Sequence, residues 1–311
     1  MSLAASSSIA SAAAAPPSIG RRLLLERLTG LGFAMPAFVL LMLTILLPLA
    51  VLLVLSLSNY EFGGVDMDWV GLANYQKALA DPVIRRSLWN TLLYVAIVVP
   101  GGVLGALLIA VLVHRRSRTR SLYEVAYFLP VTSTLIAMAT VWQFLLHPTL
   151  GPVNGVLKWL GVGSIAFLSE PSTALATLAV IGVWQLLGFN MILFLAGLTA
   201  IPRDLYEAAD IDGCSGGLDR FLTITWPLLG PTTMFVLVTT MITAFKVFDT
   251  VAVMTRGGPV GSTEVLLYNV YLEGFQYFHT GYAAALTFIF LAFILVFSAV
   301  QTFALDKKVH Y

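Results

Sequence analysis

Six apolar stretches, at roughly residues 31–58, 88–113, 122–146, 174–200, 226–250 and 282–305, constrain this chain more than any other feature. Each offers the ~20 apolar residues that a helix needs to cross a hydrocarbon core. In lipid, backbone N–H and C=O groups must be satisfied within the segment, so such stretches are helices and not open strands. A membrane barrel would show short segments of alternating polarity instead. Composition agrees: 59% of the 311 residues are hydrophobic and the mean hydropathy is +0.90, whereas soluble domains are about half apolar. The expected fold class is an all-α polytopic membrane protein with six transmembrane helices.

The net charge of +1 says little, but its distribution gives a topology. Eleven Lys and Arg residues flank alternate ends of the spans: Arg21, Arg22 and Arg27, then Arg115, Arg116, Arg118 and Arg120, then Arg203 and Arg220, then Lys307 and Lys308. The opposite loops hold only Lys77, Arg85, Arg86, Lys158 and Arg256, and Lys246 lies within a predicted span. Positive charge marks the cytoplasmic side, so both termini are expected there. Residues 1–20, rich in Ala and Ser and without a basic residue, read as a disordered cytoplasmic tail and not as a signal peptide. Residues 21–311 then form one transmembrane domain. The single cysteine, Cys214, excludes an intrachain disulfide framework and a cysteine-rich metal site.

Between the fourth and fifth spans lies a polar block, residues 201–226, in a chain that is only 11% charged. Seven charged residues fall between Arg203 and Arg220. Pro202 suits a helix start, and Asp204 and Glu207 in the first turns complement the helix dipole. Asp212-Gly213 stops the helix, and Gly216-Gly217 is expected to keep the following connection flexible. Ala208 and Ala209 are small enough to let a partner surface approach. The charge bias puts this loop in the cytoplasm, where a soluble partner would meet it.

Chemistry-bearing motifs are few. No Gly-x-x-x-x-Gly-Lys-Ser/Thr loop occurs, so this chain is not expected to bind ATP itself. No catalytic triad, His-Glu-x-x-His helix or paired-carboxylate site is visible, and the four histidines fall at predicted membrane boundaries. Polar residues within spans are costly to desolvate, which makes them candidates for a solute path. Those candidates are Trp142 and Gln143 in the third span, Trp184, Gln185 and Asn190 in the fourth, and Thr243, Lys246 and Asp249 in the fifth. Aromatic faces with amide and hydroxyl groups suit a sugar, but they equally suit interfacial anchoring and interhelical hydrogen bonds. Lys246 and Asp249, three apart, are expected on one helix face, either lining the path or neutralising each other.

The segment Tyr206-Glu207-Ala208-Ala209, with Gly213 and then Ile224-x-x-Pro227, resembles the coupling loop of bacterial ABC importer permeases of type I architecture. Other matches to the carbohydrate-uptake branch are Val70-Gly71-Leu72-x-Asn74-Tyr75, Leu129-Pro130, Gly151-x-x-Asn154, Phe194 to Leu198, Phe245-x-x-Phe248-Asp249 and Thr255-x-Gly257-Gly258-Pro259. Two departures stand out: ten residues separate Gly213 from Ile224 where the family pattern has nine, and Trp226 replaces the usual leucine.

The resemblance implies a non-catalytic permease subunit of the bacterial cytoplasmic (inner) membrane that moves a sugar or sugar-like solute inward by alternating access. It implies partners: a second permease, expected to be a paralogue, two cytoplasmic ATPase subunits and an extracytoplasmic solute-binding protein. Membrane lipid surrounds it, and no nucleic acid is involved. ATP and Mg would be used by the ATPase, with no cofactor on this chain. Glu207, Ala208, Ala209, Asp212 and Gly213 would form the ATPase-coupling element. Glycerol 3-phosphate or a related phosphodiester is the alternative solute, and an ATP-independent channel or scaffold is the alternative class.

Overall fold

The computed structural model describes residues 19–306 apart from Ser117, Ser215 and Gly216. Most of the expected N-terminal tail and the C-terminal Lys307-Lys308-Val309 lie outside the described residues, as does Gly216 of the expected flexible connection. Two compact units follow along the chain, residues 1–52 and residues 53–311.

In the first unit, α1 (Ile19–Leu41) runs through Pro36 and continues by a π-turn (Met42–Leu46) into α2 (Leu47–Ser56), which reaches into the second unit. Thr44 is absorbed within this helix, its hydroxyl donating to the Leu40 carbonyl at 2.6 Å.

The second unit contains α3 (Ala73–Ala80), α4 (Pro82–His114), α5 (Arg120–Thr132), α6 (Leu135–Leu145), α7 (Pro152–Trp159) and α8 (Ala174–Ala200). After these come α9 (Arg203–Ile211), α10 (Gly217–Arg220), α11 (Trp226–Leu228), α12 (Gly230–Phe245), α13 (Leu266–Tyr271) and α14 (Thr280–Asp306). No strand occurs among the described residues; Ser58 and Trp69 form an isolated bridge. Four helices are long and apolar enough to cross a bilayer alone, within Glu26–Ser56, Pro82–His114, Ala174–Ala200 and Thr280–Phe303. Two bent pairs of helices, Arg120–Thr132 with Leu135–Leu145 and Gly217–Leu228 with Gly230–Phe245, meet the same length and polarity criteria together, which makes up to six.

The bends correct two expected continuous spans. The third breaks by 100° between α5 and α6, where Ser133 and Thr134 are extended, with ψ of 144° and 136°. Pro130, three residues earlier, has no N–H to give and its ring crowds the preceding turn. The fifth bends by 69° at Leu229, beside Pro227 and Gly230-Pro231. It then stops at Phe245 instead of running to residue 250. By contrast α4 passes straight through Pro100-Gly101-Gly102.

The core sits between α4 and α8, closed by α12 and α14. Val98, Ala106 and Ala110 of α4 meet a buried set that includes Leu178, Met191, Phe194, Val236 and Leu286. Lipid tails are as apolar as these side chains, so close packing, not hydrophobic transfer, must hold the helices together. Small residues permit it. A Cβ on Gly182 would collide with the Tyr94 hydroxyl, and one on Gly188 would overlap the backbone carbonyl of Tyr127 in α5. Asn190 adds a buried hydrogen bond, donating to Thr240 Oγ1 at 2.9 Å and to the Gly102 carbonyl at 3.3 Å. Such interhelical bonds are worth about 0.6 kcal/mol each in lipid.

At the end of the bundle that holds residues 57–81, 146–173 and 256–279, buried amides tie the loops down. Asn74 donates to the Ser56 and Ser58 carbonyls at 3.0 and 2.8 Å, while the Tyr75 hydroxyl reaches Ser56 Oγ at 2.8 Å. These groups satisfy carbonyls that a helix end leaves free. Asn154 is fully buried and spans two segments. Its Nδ2 donates to the Leu146, His147 and Ile165 carbonyls, and its Oδ1 accepts from the Ile165 N–H at 2.8 Å. Asn90 of α4 donates to the Gly261 and Glu264 carbonyls.

Candidate functional site

The short helix α9 stands at the opposite end of the bundle, only two residues after α8. Pro202 is its N-cap, with Asp204 in the first turn. The Asp212 N–H bonds to the Ala208 carbonyl at 3.0 Å, and Gly213 turns the chain with φ of +87°. A left-handed φ at this point is the reason for glycine. Beyond it Gly217 opens α10, so this glycine lies in a helix and not in a flexible connection.

One face of α9 is seated and the other is open. Tyr206 and Ala209 are half-buried. The Tyr206 hydroxyl meets Thr225 Oγ1 at 3.0 Å, and Asp210 pairs with Arg220. The Cys214 N–H donates to the Ala209 carbonyl at 2.8 Å, and its thiol donates to Asp219 Oδ2 at 3.3 Å. That hydrogen bond to the Asp219 carboxylate, more than any other influence, pushes the Cys214 thiol pKa up. Asp204, Glu207, Ala208 and Ile211, at i, i+3, i+4 and i+7, are all exposed. This spacing puts them on one stripe. Ile211 is 87% exposed beside an acid and an alanine, an apolar knob with a charge next to it.

The span residues divide into two groups. Gln185, Thr243, Lys246 and Asp249 line one cavity of about 210 Å³ with Tyr94, Gly182 and Phe248. Lys246 and Asp249 do not share a helix face, because α12 ends between them, with Lys246 as its C-cap. They also form none of the ion pairs seen among the described residues. The expected shared helix face is therefore corrected; of the two expected roles, the helix end leaves both side chains in the cavity wall and not paired with each other. Thr243 Oγ1 donates to its own helix at Thr239, 2.9 Å away.

The second group holds the helices. Trp142 and Trp184 pack edge-to-face with centroids 5.3 Å apart. Gln143 donates to the Val253 and Met254 carbonyls at 2.9 and 3.1 Å, and Asn190 is spent on Thr240 and Gly102.

A neighbouring cavity of about 460 Å³ shares Phe248 and Asp249 and adds Arg256, Tyr268, Tyr271 and Gln276. Its aromatic wall is well defined, with Phe248 and Tyr271 centroids 5.2 Å apart. Sequence reasoning did not single out Tyr268 and Tyr271 for a site. Their period places them on a helix after the Gly257-Gly258-Pro259 turn, but nothing local says that this helix folds back over Phe248.

This architecture has counterparts among known proteins. Residues 101–311 match the family described as binding-protein-dependent transport system inner membrane component. The chain belongs to this family. It is thus a multi-pass inner membrane permease subunit of a binding-protein-dependent system. The sulfoquinovosyl glycerol transport system permease protein SmoG of Agrobacterium fabrum is 33% identical over 276 residues, 88% of this chain and 89% of that protein. The sn-glycerol-3-phosphate transport system permease protein UgpA of the same organism is 34% identical over 251 residues, 80% of this chain and 84% of that protein. Among solved structures, a chain of a bacterial ABC transporter involved in the import of the acidic polysaccharide alginate superposes with a TM-score of 0.78. It is 21% identical, covers 93% of this permease and 97% of that chain, and so supports the fold. The same kind of transporter, solved with alginate pentasaccharide-bound periplasmic protein, superposes with a TM-score of 0.76 at 21% identity over 91% of this chain and 94% of that one.

Proposed function

We propose that the permease carries a sugar or sugar-like solute inward, driven by ATP hydrolysed on separate cytoplasmic subunits. The observation that carries this reading is the open stripe of α9. A two-turn helix with its acid, alanine and isoleucine turned away from the bundle has the form of a docking knob. Its inner face is bonded to the bundle through Tyr206 and Asp210, so a pull on the knob reaches the spans. In this reading Glu207, Ala208, Ala209, Asp212 and Gly213 form the coupling element, and a related second permease completes the pathway. Both termini and α9 lie in the cytoplasm, as the positive charge around α9 favours. The solute, received from an extracytoplasmic binding protein, would pass the aromatic wall of Phe248 and Tyr271 to the cavity of Gln185, Thr243, Lys246 and Asp249. Rings that stack and amides and carboxylates that accept hydroxyl protons are what a polyhydroxylated solute requires. Glycerol 3-phosphate import is the second reading, favoured by Lys246 in the cavity wall and by the similarity to UgpA.

Reconstitution with the cognate ATPase, second permease and binding protein tests the proposal. Glu207→Ala is expected to leave the permeases folded while solute uptake per ATP falls about tenfold, the effect of losing one charge-assisted contact of ~1.5 kcal/mol. Unchanged uptake per ATP in this variant removes α9 as the coupling element. Lys246→Gln separates the solutes: phosphate-bearing cargo loses uptake and neutral sugar keeps it.

A further inference from the structure

Two adjoining cavities at the α9 end share no lining residue with the two cavities of the proposed solute path. The first, about 380 Å³, is lined by His114, Arg115, Tyr206, Arg220, Phe221 and Thr225 among others. The second, about 400 Å³, is apolar, with Leu104, Leu107, Leu108 and Leu218. They share Val111, Arg115, Gly217 and Phe221, so a chamber that carries His114, Arg115 and Arg220 runs into an apolar trough.

The trough is a stripe of α4. Leu104, Leu108, Val111 and Arg115 recur at i, i+4, i+7 and i+11, which keeps them on one face. Leu104 and Leu108 are 60% and 62% exposed on a helix long and apolar enough to cross a membrane. From residue 104 to residue 115 the helix rises ~16 Å. One leaflet of hydrocarbon is ~15 Å deep, half of the ~30 Å core. The stripe therefore has the length of an acyl chain and ends at a guanidinium.

The chamber at that end is made for an anion. Arg115 is exposed and enters no ion pair among the described residues. Its guanidinium lies 3.4 Å from where a Cβ on Gly217 would stand, so the glycine leaves it room. Arg220 gives one nitrogen to Asp210, but its Nε is buried without a hydrogen-bond partner among the described residues. No acidic side chain lines either cavity.

We propose that this pair of cavities binds one anionic phospholipid, its phosphate between Arg115 and Arg220 and one acyl chain along Leu104, Leu108 and Val111. A free phosphate would explain the chamber and leave the trough without a purpose; an amphiphile explains both. The headgroup then lies against Tyr206 and Arg220, the two side chains that seat α9, so the lipid would stiffen that seat. The site does not depend on the identity of the transported solute.

Native mass spectrometry of the full-length chain in mild detergent tests this, with phosphatidylglycerol or phosphatidylcholine of identical acyl chains added. One phosphatidylglycerol is expected to be retained about fivefold better than phosphatidylcholine, as ~1 kcal/mol from the one unpaired basic residue, Arg115, near an anionic headgroup predicts, Arg220 being neutralised by Asp210. Arg115→Gln should abolish the preference, while Arg116→Gln, which removes the same charge from the exposed neighbour, should keep it. Leu108→Trp, at an exposed position that the core does not need, should block the trough and reduce retention of both lipids. Its melting temperature shows that the fold is intact should Arg115→Gln fail to fold. Equal retention of the two lipids, binding of inorganic phosphate without retention of phosphatidylglycerol, equal loss in Arg115→Gln and Arg116→Gln, or full retention in Leu108→Trp each overturns the proposal.

Discussion

The two ends of the second unit are built on opposite plans. At the end of Asn74, Asn90 and Asn154, one half-buried and two buried amides cross-link loops to helix ends, and each spends hydrogen bonds inside the chain. At the α9 end, one hydroxyl pair, one ion pair and one thiol–carboxylate contact seat a helix whose outer stripe stays open. The first end is tied down by hydrogen bonds within the chain, and the second leaves the outer stripe of α9 open. Under the proposed function the first is a firm mouth and the second a handle.

Three measurements sharpen or break that contrast. Asn154→Ala should be the most damaging, because it strands three carbonyls and the Ile165 N–H in a buried site. About 3 kcal/mol of stability should be lost, read as a lowered melting temperature in detergent. A loss below that of a surface mutation would mean that this end is not held by its amides. Tyr206→Phe removes one half-buried hydroxyl contact and should cost about 1 kcal/mol. Its larger effect should be on coupled ATPase activity, which should drop while binding of the ATPase persists.

The smallest effect concerns Cys214. The Asp219 carboxylate accepts the thiol proton and disfavours the thiolate, so alkylation at pH 8 should be slow and accelerate as pH rises. Asp219→Asn lowers the thiol pKa towards its ordinary value and should speed the reaction at constant pH. An unchanged rate would show that α9 and α10 are not held together by this contact.

Much of the fold was legible because lipid leaves few options. Each apolar stretch of sufficient length had to become helical: four did so as single helices, and the third and fifth as bent pairs. Breaks within the stretches were not legible. Pro36 and Pro100 sit inside unbroken helices, whereas Pro130 precedes a bend of 100°. A proline removes one donor in every case, but neighbouring helices decide whether the chain bends there. The stop at Phe245 had no local signal, and without it Lys246 and Asp249 were assigned to one face. The α9 helix and its turn were readable from Pro202, Glu207-Ala208-Ala209 and Gly213, since caps and positive φ are local. Its seat was not, because Thr225 and Arg220 reach Tyr206 and Asp210 only after the chain folds back. The four arginines from Arg115 to Arg120 carried a topology signal, but the cavity beneath Arg115 needed α10 in place to exist.

The missing side chain at Gly188 has a mechanical consequence. Because nothing separates α8 from the Tyr127 carbonyl, the two helices meet backbone to backbone, and α5 is carried wherever α8 goes. α8 in turn reaches α9 through Ile201 and Pro202 alone, with Ile201 buried. Two residues, one of them a ring with fixed φ, leave no slack in which a displacement could dissipate. We infer that a shift of the short helix would be passed to α5 through this close approach, which a side chain at residue 188 would prevent.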